Sequence, residues 1–253
     1  MIAATTSDRP RVTVEIWSDV VCPWCYIGKR RFERAVDELA SELDIEVRYR
    51  PYQLDPTASP GKSQPVFEAY AKKFGGPDQA RRIIDRVTET AAADGLEFRM
   101  DRAQRANTLL AHRLLWWAEQ PDSPVAQAVL KERLLQAYFV DGADIGDPDT
   151  LADLAADVGA GRDDALRLLE SDAGLAEVRE LIGRAGELGI SAVPTYVLNG
   201  QWAIPGAQDP DTFVNVLRRL GQKLTAEAAE VEEEAEAAED DADRTCTDDV
   251  CDT

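Results

Sequence analysis

Two cysteines separated by two residues, Cys22 and Cys25 in "SDVVCPWCYIGKRRFERAV", are the residues of this chain whose type and spacing point most directly to chemistry. Such a pair serves thiol–disulfide exchange, ligates a metal, or does no chemistry and packs as two small hydrophobes. The nucleophile in exchange is the thiolate, and a thiol of ordinary pKa, about 8.5, is mostly protonated at neutral pH. A helix N-terminus favours negative charge in its first turn through unpaired N–H groups and the macrodipole. Cys22 stands where an apolar strand turns into a helix opened by Pro23, so its thiolate is the one expected to be stabilised. Cys25 lies one turn further in, expected to be more buried and within disulfide reach of Cys22. Attack by Cys22 on a substrate disulfide would give a mixed disulfide, which Cys25 would resolve.

The elements that position this pair show in the residue pattern on either side of it. "RVTVEIW" alternates, with Val12, Val14 and Ile16 on one face and Thr13, Glu15 and Trp17 on the other, as in a half-buried strand. Pro23 suits the first turn of a helix, where its missing N–H costs nothing. Phe32, Val36, Leu39 and Leu43 then predict a helix to about Leu43. "IEVRYRPY" alternates again, so a parallel strand pair with a right-handed crossover is expected. "LDPTASPGKSQP" is dense in turn residues and leaves the sheet. From about Val66 to Leu188 the pattern predicts six or so helices, with Gly76-Pro77 and Asp147-Pro148 as helix starts.

"GISAVPTYVLNGQWAI" returns to strands, with Asn199-Gly200 as a two-residue hairpin signal. Asp209-Pro210 opens a last helix that buries Phe213, Val216, Leu217 and Leu220. This order predicts an α/β chain, a thioredoxin-like fold with a large all-helical insertion. Residues 11–54 and 189–222 form the discontinuous thioredoxin-like domain, and residues 55–188 the helical insertion. Residues 223–253 form an acidic, mobile tail.

The net charge is −20, and the segment from Thr225 to Thr253 holds thirteen acidic residues against one arginine. No basic stripe is present to neutralise phosphates, which argues against nucleic-acid binding. The N-terminus lacks a basic segment followed by an apolar one, and no apolar run approaches the eighteen or so residues of a membrane span. A cytoplasmic protein without a membrane partner is expected. Cysteines in a reducing compartment serve chemistry or metal rather than a structural disulfide framework.

"VEIWSDVVCPWCYIGKRRFE", "NTLLAHRLL" and "GISAVPTYVLNGQWAIPGAQ" resemble the DsbA-like oxidoreductases of the FrnE type over about residues 12–220. Their wider family includes kappa-class glutathione transferases and 2-hydroxychromene-2-carboxylate isomerases. The resemblance implies a CXXC redox-active centre with Cys22 as nucleophile, Cys25 as resolving thiol and Pro194 as a cis-proline. Val193, Pro194 and Trp24 would contact an extended substrate, a protein or peptide disulfide. No bound cofactor is implied; glutathione or another thiol would be the recycling redox partner.

Two departures stand out. Six residues before the nucleophile, where such enzymes often hold a buried acid, stands Ile16, with Glu15 and Asp19 out of register. Proton transfer at Cys25 is therefore expected to use water or another group. Trp24 replaces the histidine of strongly oxidising relatives and supplies no positive charge, so a less oxidising couple is expected. The competing functions are a glutathione-dependent isomerase or transferase of small aromatic or polyketide-type substrates, and a non-enzymatic chaperone or binding module. The presence of both cysteines favours redox chemistry over the first, in which serine commonly replaces the first cysteine.

Cys246 and Cys251 form a second pair on the tail. A flexible linker of about 25 residues reaches roughly 25–30 Å, enough for an accessory dithiol to visit Cys22–Cys25. Nearby aspartates would raise these thiol pKa values and slow their attack. A zinc site shared by all four cysteines is the metal alternative; the expected proline beside the first pair argues against it, and no metal is expected. His112, the only histidine, shares a helix face with Thr108, Leu115 and Trp116. It is expected to be a packed, hydrogen-bonded residue, or one lining the groove above the cysteines.

Overall fold

The computed structural model describes residues 9–245, with side chains to residue 231. Strand β1 (Arg11–Ser18) pairs in parallel with β2 (Asp44–Pro51) and antiparallel with β5 (Thr195–Leu198), which pairs with β6 (Trp202–Pro205). The sheet order is β2-β1-β5-β6. The alternation of β1 is used on both faces. Val12, Val14 and Ile16 are buried against Phe32 and Ala35 of α1 (Pro23–Glu38) and Phe213 and Leu217 of α9 (Pro210–Thr245). On the opposite face Trp17 is fully buried, packed with Cys22, Cys25, Val193 and Val197.

Helix α1 ends at Glu38, short of the Leu43 expected from its apolar stripe. Leu39 leaves helical geometry, and its carbonyl accepts from the N–H groups of both Glu42 and Leu43 in a tight turn. Leu39 and Leu43 remain buried, so the stripe reports burial faithfully but not the helix end. At the hairpin, Asn199 and Gly200 both adopt positive φ. The ladder nevertheless pairs Leu198 with Trp202, so the connection is three residues long. Asn199 instead extends the sheet: its N–H donates to the Thr13 carbonyl and its Oδ1 accepts from the Thr13 N–H, both at 2.8 Å.

Between β2 and β5 the chain forms α2 (Val66–Phe74), α3 (Pro77–Ala93), α4 (Leu109–Ala118), α5 (Gln127–Gln136), α6 (Pro148–Asp157), α7 (Arg162–Glu170) and α8 (Leu175–Glu187). A π-helical turn, Ala137–Asp141, prolongs α5. The insertion is not wholly helical: β3 (Gln64–Pro65) and β4 (Gln104–Arg105) form a two-residue antiparallel ladder on either side of α2 and α3. Asp147 caps α6 by accepting from the Thr150 N–H at 2.8 Å. The buried Arg113 guanidinium of α4 donates to the carbonyls of Leu168, Leu169, Ser171 and Ala173, satisfying the end of α7 and the turn beyond it.

Helix α5 ties the insertion to the sheet domain on two sides. Gln127 brackets β2, accepting from the Tyr49 N–H (2.8 Å) and donating to the Tyr49 carbonyl (3.1 Å). Glu132 accepts from the hydroxyl of Tyr26, from Lys29 and from Arg30, all on α1. At the other end of the chain, α9 runs without interruption past residue 223 to Thr245. Alanine and glutamate, which dominate that stretch, are good helix formers.

Candidate active site

Cys22 is the N-cap residue of α1, in extended conformation (φ −87°, ψ 115°), and Pro23 occupies the first turn. No side chain caps this helix and no acidic residue lies in its first turn, so its positive end is offered to the cysteine pair. Both thiols are buried and unbridged. The Cys22 thiol donates to the Val193 carbonyl across 3.6 Å. The Val193–Pro194 peptide bond is cis. The Pro194 carbonyl accepts from the Gly206 N–H (2.8 Å), which holds the loop before β5. Trp24 is exposed between the two cysteines. The structure thus brings together Cys22, Cys25, Trp24, Val193 and Pro194.

Gly28, one turn after Cys25, lets α1 approach this loop. A Cβ added there would lie 2.6 Å from the Tyr196 hydroxyl and 3.1 Å from Pro194 Cγ. Tyr196 is fully buried and has no room to yield. Gly28→Ala is therefore expected to cost about 1–3 kcal/mol by overpacking and to displace Pro194 from the cysteines. Thermal unfolding and thiol-exchange turnover should both fall; an unchanged melting temperature would contradict the packing described.

Asp19, expected to be out of register, is fully buried in the turn before Cys22. Its backbone carbonyl accepts from the Cys22 N–H, Oδ2 accepts from the Leu54 N–H at 2.8 Å, and Oδ1 lies 3.2 Å from His112 Nε2. His112 Nε2 is also 3.0 Å from the Tyr52 carbonyl. Both neighbours are acceptors, so Nε2 carries the hydrogen and donates to them. These bonds turn His112 inward at 2% exposure, where it pins α4 to the turn preceding Cys22.

Burial pushes the Cys25 thiol well above its ordinary value, and the hydrogen bond and charge of Cys22 push in the same direction. The buried Lys131 and the Asp19 backbone oppose them. Lys131 itself is brought down to about 8 by burial, against the opposing pull of Cys25, Asp19 and Cys22. The insertion also reaches Cys22. Burial and the Cys22 charge raise the Tyr70 phenol of α2 to about 12, and Tyr138 is raised too, chiefly by burial.

Lys131, Asp19 and Tyr70 were not among the sequence-derived candidates. The signal for Lys131 was present: Gln127, Leu130, Lys131 and Leu134 fall at i, i+3, i+4 and i+7, a buried stripe with a lysine in it. Cys246 and Cys251 lie outside the described residues. Among the described residues no cluster of three or more His, Cys, Asp or Glu side chains is arranged to hold a metal, and no helix is long and apolar enough to cross a membrane.

The chain is 31% identical to a probable DsbA oxidoreductase of known structure from Streptomyces coelicolor, with a TM-score of 0.74 over 82% of this chain and 89% of that one. It is 28% identical to the uncharacterized protein YwbO of Bacillus subtilis strain 168 over 80% of this chain and 94% of that protein. At 19% identity it shares the fold of the cytosolic disulfide reductase DsbM of Pseudomonas aeruginosa, whose structure was determined with GSH. The TM-score there is 0.57, over 82% of this chain and 98% of that one. Residues 13–218 match the DSBA-like thioredoxin domain, and the chain belongs to that family of thiol–disulfide oxidoreductases.

Proposed function

We propose that this protein is a FrnE-like dithiol–disulfide oxidoreductase or isomerase of the cytoplasm, acting on protein or peptide disulfides. Cys22 is the nucleophile and Cys25 the resolving thiol. The observation that carries this reading is the contact of the Cys22 thiol with the Val193 carbonyl beside Pro194, at the uncapped start of α1. That bond exists only while Cys22 bears its hydrogen. Once Cys22 is joined to a substrate sulfur, the Val193 carbonyl is released to accept from the backbone N–H of an extended substrate. Trp24, exposed at the same edge, supplies an apolar surface for the substrate chain. Glutathione, present in the DsbM structure, is the class of small thiol proposed to recycle the pair.

The experiment is insulin-disulfide reduction and reshuffling of a scrambled disulfide protein in glutathione buffers, with the intact chain and with Cys22→Ser. Loss of both activities in the variant supports the assignment. Equal activities would make the cysteines dispensable and favour a binding module.

A further inference from the structure

The resolving step poses an electrostatic problem. Cys25 must become a thiolate in a buried site, with Ile16 where an acid could have stood to take its proton. Among the described residues' buried polar atoms without a hydrogen-bond partner, Trp17 Nε1, Ser18 Oγ, Tyr196 Oη and Lys131 Nζ, only that of Lys131 belongs to a group that can carry a positive charge. Lys131 is 1% exposed. Its Nζ stands over the face of the Tyr49 ring, 5.6 Å from the centroid. A buried ammonium without partners is costly, and lysine normally extends along an apolar surface to reach water. Here the clamps at Gln127 and Glu132, on either side of it along α5, hold it inside.

The charged and titratable groups facing Lys131 come from four elements. They are Cys22, Cys25 and Lys29 from α1, Asp19 from the turn before it, Tyr49 and Arg50 from β2, and His112 and Glu119 from α4. Most of these are committed elsewhere. Lys29 is held by Glu33 and Glu132, Arg50 by Glu15 and Glu119, and Asp19 by Leu54 and His112. The anion that the site lacks is the one the reaction makes at Cys25.

We propose that Lys131 supplies the positive charge that stabilises the Cys25 sulfur as it becomes a thiolate and resolves the mixed disulfide. The inference rests on the oxidoreductase reading above. In the step itself Cys25 gives up its proton to water, and its sulfur attacks Cys22 Sγ. The Cys22–Cys25 bond forms and the Cys22–substrate bond breaks. The electron pair leaves on the substrate sulfur, which takes a proton from solvent; the dithiol is oxidised and the substrate disulfide reduced. Lys131 is a positioning residue that acts through Cys25. It also lines a small cavity of about 10 Å³, the room of one water, with His112, Gln127 and the partly exposed Glu119.

A pH signature follows from the opposite shifts of the two groups. Below about 8 the reactive state, thiolate with ammonium, needs one proton removed, so the resolving rate rises about tenfold per pH unit. Above that value neutral lysine with thiol and ammonium with thiolate hold the same number of protons, and the rate levels off. The test is stopped-flow reaction of the reduced protein with 5,5′-dithiobis(2-nitrobenzoate), in a Cys246→Ser, Cys251→Ser background. The first release of aromatic thiolate reads attack by Cys22, and the second reads resolution by Cys25.

In Lys131→Met the second release is expected to be at least tenfold slower at pH 7 and to keep rising past pH 9 without levelling. The variant's melting temperature should rise, because an unpartnered buried charge is gone. Lys131→Arg, which keeps the charge, should retain most of the neutral-pH rate without the levelling near pH 8. A second phase in folded Lys131→Met that superimposes on the parent across pH 6–9.5 overturns the inference. So does a folded Lys131→Arg as slow as Lys131→Met. If the parent shows no second release at any pH, the oxidoreductase reading itself has failed.

Discussion

Cys25→Ser is expected to turn the protein into a trap. Cys22 keeps its place at the start of α1 and can still attack a disulfide, but no thiol remains to resolve the product. Turnover should fall by on the order of a thousandfold, toward the rate at which external thiols clear the adduct. The mixed disulfide should accumulate and be visible by mass spectrometry under non-reducing conditions. Cys22→Ser should lose turnover to the same extent yet accumulate no adduct, because the burial of Cys25 holds its thiol protonated. The contrast between the two variants assigns the roles. A Cys25→Ser protein that turns over at the parent rate would contradict the assignment.

Asp19→Ala is expected to cost about 3 kcal/mol of stability, the largest loss from a single polar side chain near the site. It removes the side-chain acceptor of the Leu54 N–H and one of the two acceptors of the buried His112. His112 keeps the Tyr52 carbonyl, and the cost falls mainly on the fully buried space that the Asp19 carboxylate leaves beside it. For a chain of this size that corresponds to a melting temperature lower by about 6–12 °C. Asp19→Asn, whose amide oxygen still accepts from Leu54, should lose markedly less. Urea unfolding of the two variants checks this, and a loss below about 1 kcal/mol for Asp19→Ala would show that the Asp19–His112 staple contributes little.

The framework of the site was legible because its signals are local. Strand alternation marked Val12, Val14 and Ile16 as one buried face, and Pro23 marked the start of α1. The two positive-φ residues of Asn199-Gly200 marked the turn, although the added residue in that loop depends on Asn199 bonding to Thr13 across the sheet. Asp19 escaped for a physical reason. Alternation assigns faces only while the chain stays in a strand, and β1 ends at Ser18. The following turn folds Asp19 inward irrespective of parity.

Lys131 escaped because a lysine in an apolar stripe ordinarily snorkels to solvent. Only the clamping of α5 by Gln127 and Glu132, from residues distant in sequence, keeps it inside. His112 was expected to be packed and hydrogen-bonded, but its partners lie 93 and 60 residues away and no local pattern names them. The shift from mixed to acidic composition near residue 223 does not mark an end of α9, which continues to Thr245.

The central claim is that Cys22 and Cys25 form a reversible redox couple, and its most direct test is their reduction potential. The measurement is equilibration of the Cys246→Ser, Cys251→Ser protein with graded glutathione buffers, followed by trapping and counting of free thiols. The account predicts a single intramolecular disulfide with a potential between about −270 and −180 mV, less oxidising than the −120 mV or so of a strong oxidase. Failure to form a Cys22–Cys25 disulfide at any glutathione ratio would contradict it.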